Sequence, residues 1–233
     1  MNNHNKILNL LSGNQLKLFA LFAMTCDHIG KQLLPQYPIL QIIGRLAFPI
    51  FACMIAEGCL YTKNRKRYIL TMAVTALLCQ MVYGVAMGSL YQCVLVTFSL
   101  SVAWIYVVDY AMKNKTLVTG IWAGIVFAGI YFVSAVLPNM LSYTDYAIDY
   151  GLWGVLLPFF AYVSNTKKKK LVMATIGLVL LCISMGGIQW YSLCAIPILA
   201  LYSGKRGRLR LKNLFYLYYP LHLAGIYVIS LFF

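Results

Sequence analysis

The chain has 233 residues, 62% of them hydrophobic and 10% charged, with a mean hydropathy of +0.78. A soluble domain averages roughly 45–50% apolar and about 25% charged residues, so a water-soluble globule is excluded and an integral membrane protein is indicated. The formal net charge of +14 would suit a nucleic-acid partner, but the positions of the charges assign them another purpose.

A spanning helix needs about 20 mostly apolar residues. On that rule the sequence predicts about nine spans, at 15–33, 39–61, 68–87, 94–112, 116–136, 148–164, 171–187, 188–203 and 213–232. Ser12 and Asn14 offer N-caps for the first, and Gly186-Gly187 marks a tight turn between the seventh and eighth. Lysines and arginines gather at 63–67, 113–115, 167–170 and 205–212, after the second, fourth, sixth and eighth spans; with Lys6 and Lys17 they make seventeen of the nineteen basic residues. The positive-inside rule assigns that side to the cytoplasm, which leaves the N-terminus inside and the C-terminus outside. The expected architecture is therefore all-α, a polytopic transmembrane helix bundle forming one integral membrane domain over 1–233 in the plasma membrane. The basic excess reads as a topology signal, and no nucleic-acid partner is expected.

The remaining features are quieter. The polar, Asn-rich stretch before Lys17 lacks a signal-peptide cleavage pattern, so the first span is expected to stay in the mature protein. The seven cysteines show no CxxC spacing and lie almost wholly in apolar segments, where Cys acts as a small hydrophobe; no metal site is expected. The long loop 137–151 carries Asp145 and Asp149, with Tyr143, Tyr146 and Tyr150 suited to an interfacial belt. No internal repeat of the transporter kind is present.

The chemistry concentrates between Lys17 and Gly58, where Lys17, Asp27, His28, Arg45 and Glu57 interrupt a stretch otherwise apolar enough for a bilayer. Ionisable groups at membrane depth are costly and usually kept for function. Lys17 and His28 are eleven residues apart, close to three helical turns, which puts both on one face about 16 Å apart in depth. Asp27 and His28 point about 100° apart on a helix and do not pair with each other. Arg45, descending from the outer face to a similar depth, is the expected partner of Asp27. Pro49 leaves the carbonyl of Arg45 without its helical bond, which predicts a kink facing protein or a polar cavity. His222 falls mid-membrane in the last span, behind Pro220 and among aromatics at 215, 216, 218 and 219. Its depth matches that of His28 and predicts a shared site.

Three separated stretches, LKLFALFAMTCDHIG (16–30), IGRLAFPIFACMIAEG (43–58) with the following Tyr61-Thr62, and FYLYYPLHL (215–223), resemble the TraX family of conjugative pilin N-acetylases. The middle of the chain is similar mainly in hydrophobic layout. A more distant similarity is to the acyltransferase-three family of membrane O-acetyltransferases. Its first span carries a basic residue, ten intervening residues and a histidine, which Lys17 and His28 match. Phe51 to Gly58 resembles its second-span stretch, with Glu57 where a small polar residue is usual; its RxxR element is absent, since Arg65 and Arg67 are two apart and Thr71 follows.

The resemblance implies acetyl transfer within the membrane. Acetyl-CoA is the expected donor, entering from the cytoplasm, with Lys17, Glu57, Arg65 and Arg67 as the donor-binding group. His28 is the expected general base or transient acetyl carrier, Arg45 and Asp27 its electrostatic partners, and His222 a second acid–base group. The acceptor would be an amine or hydroxyl on a protein such as a pilin or on a cell-surface polymer. Two other classes fit the residues: a proton-coupled transporter using Asp27, His28 and Glu57 as a relay, and a non-catalytic assembly factor for a surface filament.

Overall fold

A computed structural model describes residues 10–164, 166–207, 212–230 and 232. Among these residues the secondary structure is helical, with no named strand and two isolated bridges. In chain order the helices are α1 (Gly13–Gln32), α2 (Pro38–Gly44), α3 (Ala47–Tyr61), α4 (Arg65–Met87), α5 (Val94–Asn114), α6 (Leu117–Tyr131), α7 (Leu137–Met140), α8 (Gly151–Tyr162), α9 (Lys167–Met185), α10 (Ala195–Ala200) and α11 (Lys212–Ser230). A π turn, Phe132–Val136, joins α6 to α7, and a 3-10 segment, Gly187–Cys194, precedes α10. Four stretches are long and apolar enough to cross a membrane: Pro38–Tyr61, Arg65–Val85, Val94–Asn114 and Leu117–Met140. The protein is accordingly a helical membrane protein.

The kink expected at Arg45 is present: the second predicted span is interrupted at Arg45 and Leu46, between α2 and α3, upstream of Pro49, whose ring denies the helix a bond at that turn. A difference from the sequence expectation has a simple cause. The sixth and eighth predicted spans form shorter apolar helices, Gly151–Tyr162 and Gly187–Ala200; 12 residues rise only about 18 Å against a hydrocarbon core of about 30 Å.

The chain divides into two compact units, Met1–Met54 with Ser164–Phe233, and Ile55–Val163. In the first, three helices each contribute an i, i+4 pair to one core: Leu16 and Ala20, Ile50 and Met54, Ala195 and Leu199. That spacing puts both members of a pair on one helix face. Helix α1 starts where Ser12 caps it, in a capping box closed by Gln15. The same turn is held by the segment after α10: Leu11 N–H donates to the Leu201 carbonyl at 3.0 Å, Ser203 N–H to Leu11 at 2.8 Å, and Gly13 N–H to Lys205 at 2.8 Å. Helices α1 and α2 approach through glycine. A Cβ on Gly30 would lie 2.8 Å from that of Leu40, and one on Gly44 would lie 2.2 Å from that of Asp27. Small residues allow such contact in membrane helices.

The second unit has its core at Cys59, Val102 and Ile105. Gln80 clamps the α4–α5 hairpin: its Nε2 donates to the Tyr91 carbonyl at 2.8 Å and its Oε1 accepts from Cys93 N–H at 3.0 Å. Thr97 and Ser101 on α5 donate to the carbonyls of Asp149 and Val155, both at 2.7 Å. The loop before α4's partner helix is tied down by acids: Asp145 accepts from the Ser89 hydroxyl and from Leu90 N–H, and Tyr91 donates to Asp149 at 2.7 Å. These donors hold the Asp145 carboxyl below the usual carboxylate range, Ser89 contributing most. Burial, then the Asp149 carboxylate, pushes the Tyr91 phenol up.

Candidate functional site

The candidate site lies in the first unit, where α1 and α11 place two imidazoles together. The rings of His28 and His222 meet edge to face at 4.9 Å between centroids. Tyr219 packs on both, at 6.2 Å from His28 and 5.3 Å from His222, and Tyr218 stacks on His222 at 5.2 Å. The i, i+4 spacing of Tyr218 and His222 explains that stack. Tyr218 is fixed in turn: Thr25 gives its hydroxyl proton to the Leu21 carbonyl at 2.9 Å, so the Tyr218 phenol donates to Thr25 at 2.7 Å. Helix α1 therefore supplies both the histidine and the post that orients its aromatic neighbours.

The tautomer of His222 follows from its contact. Its Nδ1 is 3.0 Å from the Tyr218 carbonyl, which can only accept, so Nδ1 carries the proton. In the neutral ring Nε2 is then a lone pair. That atom is buried with no hydrogen-bond partner among the described residues. It can receive a proton from a ligand O–H or N–H.

Asp27, the residue before His28, anchors an ion triad. Asp27 binds Arg45 through Oδ1, and Lys31 Nζ through Oδ2 at 2.6 Å. The Arg45 and Asp27 side chains are 7% and 8% exposed, against 49% for Lys31. Two cations face one carboxylate, so the cluster carries a net positive charge, and His28 lies within electrostatic reach of Asp27, Lys31, Arg45 and His222. Arg45 reaches inward because it sits at the C-cap of α2, next to Gly44, whose missing side chain admits Asp27. Its Nε donates to the Gln41 carbonyl and its Nη1 to Gln189 Oε1, both at 3.4 Å.

Asp27, His28, Arg45 and His222 are thus gathered in one place. Lys17 is half-buried on the same helix, nearer its N-terminus, within electrostatic reach of Arg206. Glu57, Arg65 and Arg67 belong to the second unit. There Arg65 donates to Asp109 at 2.5 Å, with its guanidinium 5.0 Å from the Tyr106 ring centroid, and Lys113 completes the bridge at 2.9 Å. Its charge is largely spent within the protein. Arg67 is exposed in the first turn of α4, and Glu57 is partly buried.

Two members of the site escaped the sequence reading. Lys31 lies inside the first predicted span, and its i, i+4 spacing from Asp27 was the available signal. Gln189, 2% exposed in the 3-10 segment, is a lone amide in an apolar stretch and carries no spacing signal. Its Nε2 is buried without a hydrogen-bond partner among the described residues, a state that costs about 1–3 kcal/mol in a folded protein.

These features define a helical membrane protein with a buried polar site on its first and last helices. The profile described as "TraX protein" matches residues 12–230, and the chain belongs to the TraX family. It is 24% identical over 242 residues to the probable fimbrial assembly protein FimC, serogroup H1, of Dichelobacter nodosus, an alignment covering 91% of this chain and 93% of that one. An uncharacterized protein of Rickettsia prowazekii (strain Madrid E) is 47% identical over 55 residues, 24% of this chain; the match spans only 22% of that protein's own length. No solved structure matches the chain.

Proposed function

We propose that the protein is a membrane-embedded acetyltransferase that moves an acetyl group from cytoplasmic acetyl-CoA to an amine or hydroxyl on a pilin-like protein or cell-surface polymer. The observation that carries this reading is the 4.9 Å approach of His28 and His222 beside the Asp27–Arg45 pair. Two adjacent imidazoles can take a proton from the acceptor and return one to the leaving thiol. His28 acts as general base or transient carrier, and His222 as the second acid–base group. Arg45 supplies positive charge where the carbonyl oxygen becomes negative, and Asp27 holds it in place. Lys17 is the proposed contact for the donor's anionic end, with its cytoplasmic placement resting on the positive-inside rule.

In the same reading the chain crosses the plasma membrane about nine times as one functional domain, with basic loops and N-terminus inside and C-terminus outside. Support comes from the seventeen of nineteen basic residues that alternate spans place on one side.

The test is transfer from radiolabelled acetyl-CoA to envelope material by the full chain in proteoliposomes. Label should accumulate with the wild type and vanish with His28→Ala at equal membrane insertion. Undiminished transfer by that variant would sink the mechanism. A second reading, a non-catalytic role in building a surface filament, is favoured by the similarity to a probable fimbrial assembly protein. It requires filament assembly to survive His28→Ala and His222→Ala together.

A further inference from the structure

Gln189 is 98% buried by its 2% exposure, and its hydrogen-bonding groups can be accounted for one by one. Its backbone N–H donates to the Gly186 carbonyl at 3.1 Å. Its backbone carbonyl accepts from Cys182 Sγ at 3.3 Å. Its Oε1 accepts from Arg45 Nη1 at 3.4 Å. A guanidinium can only donate, so the carboxamide is oriented with Nε2 on the other side. Nε2 is the group left over among the described residues. A buried N–H held beside a guanidinium is complementary to an oxygen, and more so as that oxygen gains negative charge. It offers nothing to an ammonium or to an apolar group.

We propose that Gln189 contacts the acyl donor, its Nε2 N–H receiving the acetyl carbonyl oxygen together with Arg45. The proposal rests on the acetyl-transfer reading and adds a residue to it. In the step, the acceptor's lone pair adds to the carbonyl carbon and the carbonyl electron pair moves onto oxygen. Gln189 and Arg45 hold that oxygen. The C–S bond then breaks, and the acceptor's proton passes through an imidazole to the departing thiolate, giving acetylated acceptor and CoA thiol. Gln189 neither gains nor loses a proton.

The experiment compares acetyl-CoA with CoA, which lacks the carbonyl, on the full chain in lipid nanodiscs. Binding is measured for the wild type, Gln189→Glu and Gln189→Met. Glutamate keeps the length and an oxygen toward Arg45 but removes the donor. The wild type should prefer acetyl-CoA by on the order of tenfold, one hydrogen bond's worth, and both variants should bind the two alike. In turnover, losing one oxyanion donor should lower kcat by about 100-fold or more, with KM for acetyl-CoA rising by no more than the roughly tenfold lost in binding; a merely structural role would instead lower the inserted, ligand-competent fraction. Equal wild-type binding of acetyl-CoA and CoA would mean that water alone serves the N–H, and would overturn the proposal. That wild-type ratio decides the matter even if neither variant inserts. A wild type that discriminates yet transfers to no acceptor keeps the Gln189 contact and discards acetyl transfer.

Discussion

Gly44 and Asp27 touch so closely that a Cβ on the glycine would fall 2.2 Å from the aspartate Cβ and 2.6 Å from its Oδ1. Helices α1 and α2 cross at that point, and the next residue after Gly44 is the arginine that binds Asp27. The ion pair and the helix crossing are therefore one structural event.

Gly44→Ala should push α1 and α2 apart and strain or break the Asp27–Arg45 pair. Overpacking of this kind costs about 1–3 kcal/mol, and loss of the pair adds to it. A thermal melt in detergent should shift down, with the proposed acetyl transfer falling further than stability explains. An unshifted melt would mean that the crossing can relax around a methyl group.

Asp27 and Arg45 should behave as a coupled pair. Removing Asp27 takes the buried Arg45 cation's carboxylate away, at about 3–5 kcal/mol, and removing Arg45 leaves the buried Asp27 with only Lys31 as its ion partner among the described residues. Lys31 is half-exposed and can turn to water. Asp27→Leu with Arg45→Met should therefore be more stable than either single variant, though inactive. Additive losses in this double-mutant cycle would show that the two residues do not depend on each other.

His222→Ala should reduce the proposed acetyl transfer by about 10²–10⁴-fold, the usual scale of general acid–base catalysis, at unchanged insertion. Tyr218→Phe removes the phenol that donates to Thr25 but not the carbonyl that fixes the His222 tautomer, so its effect should be much smaller. Equal losses in the two would assign the pair to packing.

The loop anchored by Asp145 should loosen in acid. Its folded carboxyl titrates below the ordinary value because Ser89 and Leu90 donate to the charged form. Its stabilisation is present above the unfolded pKa of about 3.9 and is lost as pH falls through the lower folded value. Hydrogen exchange at the Leu90 amide, compared between the wild type and Asp145→Asn, should be slow only in the wild type at neutral pH. The two should converge well below pH 4. Equal exchange at pH 7 would mean that the anchor does not hold the loop.

Much of this site was legible in the sequence because depth in a membrane is a one-dimensional coordinate. Counting turns from each predicted boundary placed Asp27 level with Arg45 and His28 level with His222, and α-helical geometry did the rest. What depth could not supply was azimuth, the choice of which helices become neighbours. The bridge from Arg65 to Asp109 and the bond from Arg45 to Gln189 both depend on it. The short α8 and 3-10 segments were also hidden, since an apolar run reads alike whether it spans or stops. Gly30 and Gly44 read as ordinary residues until the crossing they permit was visible.

The clasp between residues 11–13 and 201–205 sets an order of assembly. One unit is continuous in the chain and the other is closed by segments from opposite ends. During synthesis the continuous unit has all its residues once Val163 has been made. Asp27, His28 and Arg45 must wait in an unfinished half, their costly charges without Gln189 or His222, until the last helices emerge. A ribosome stalled far enough past Val163 to clear that residue from the exit tunnel should leave a chain whose second unit is folded while its first helix remains a target for quality-control proteases.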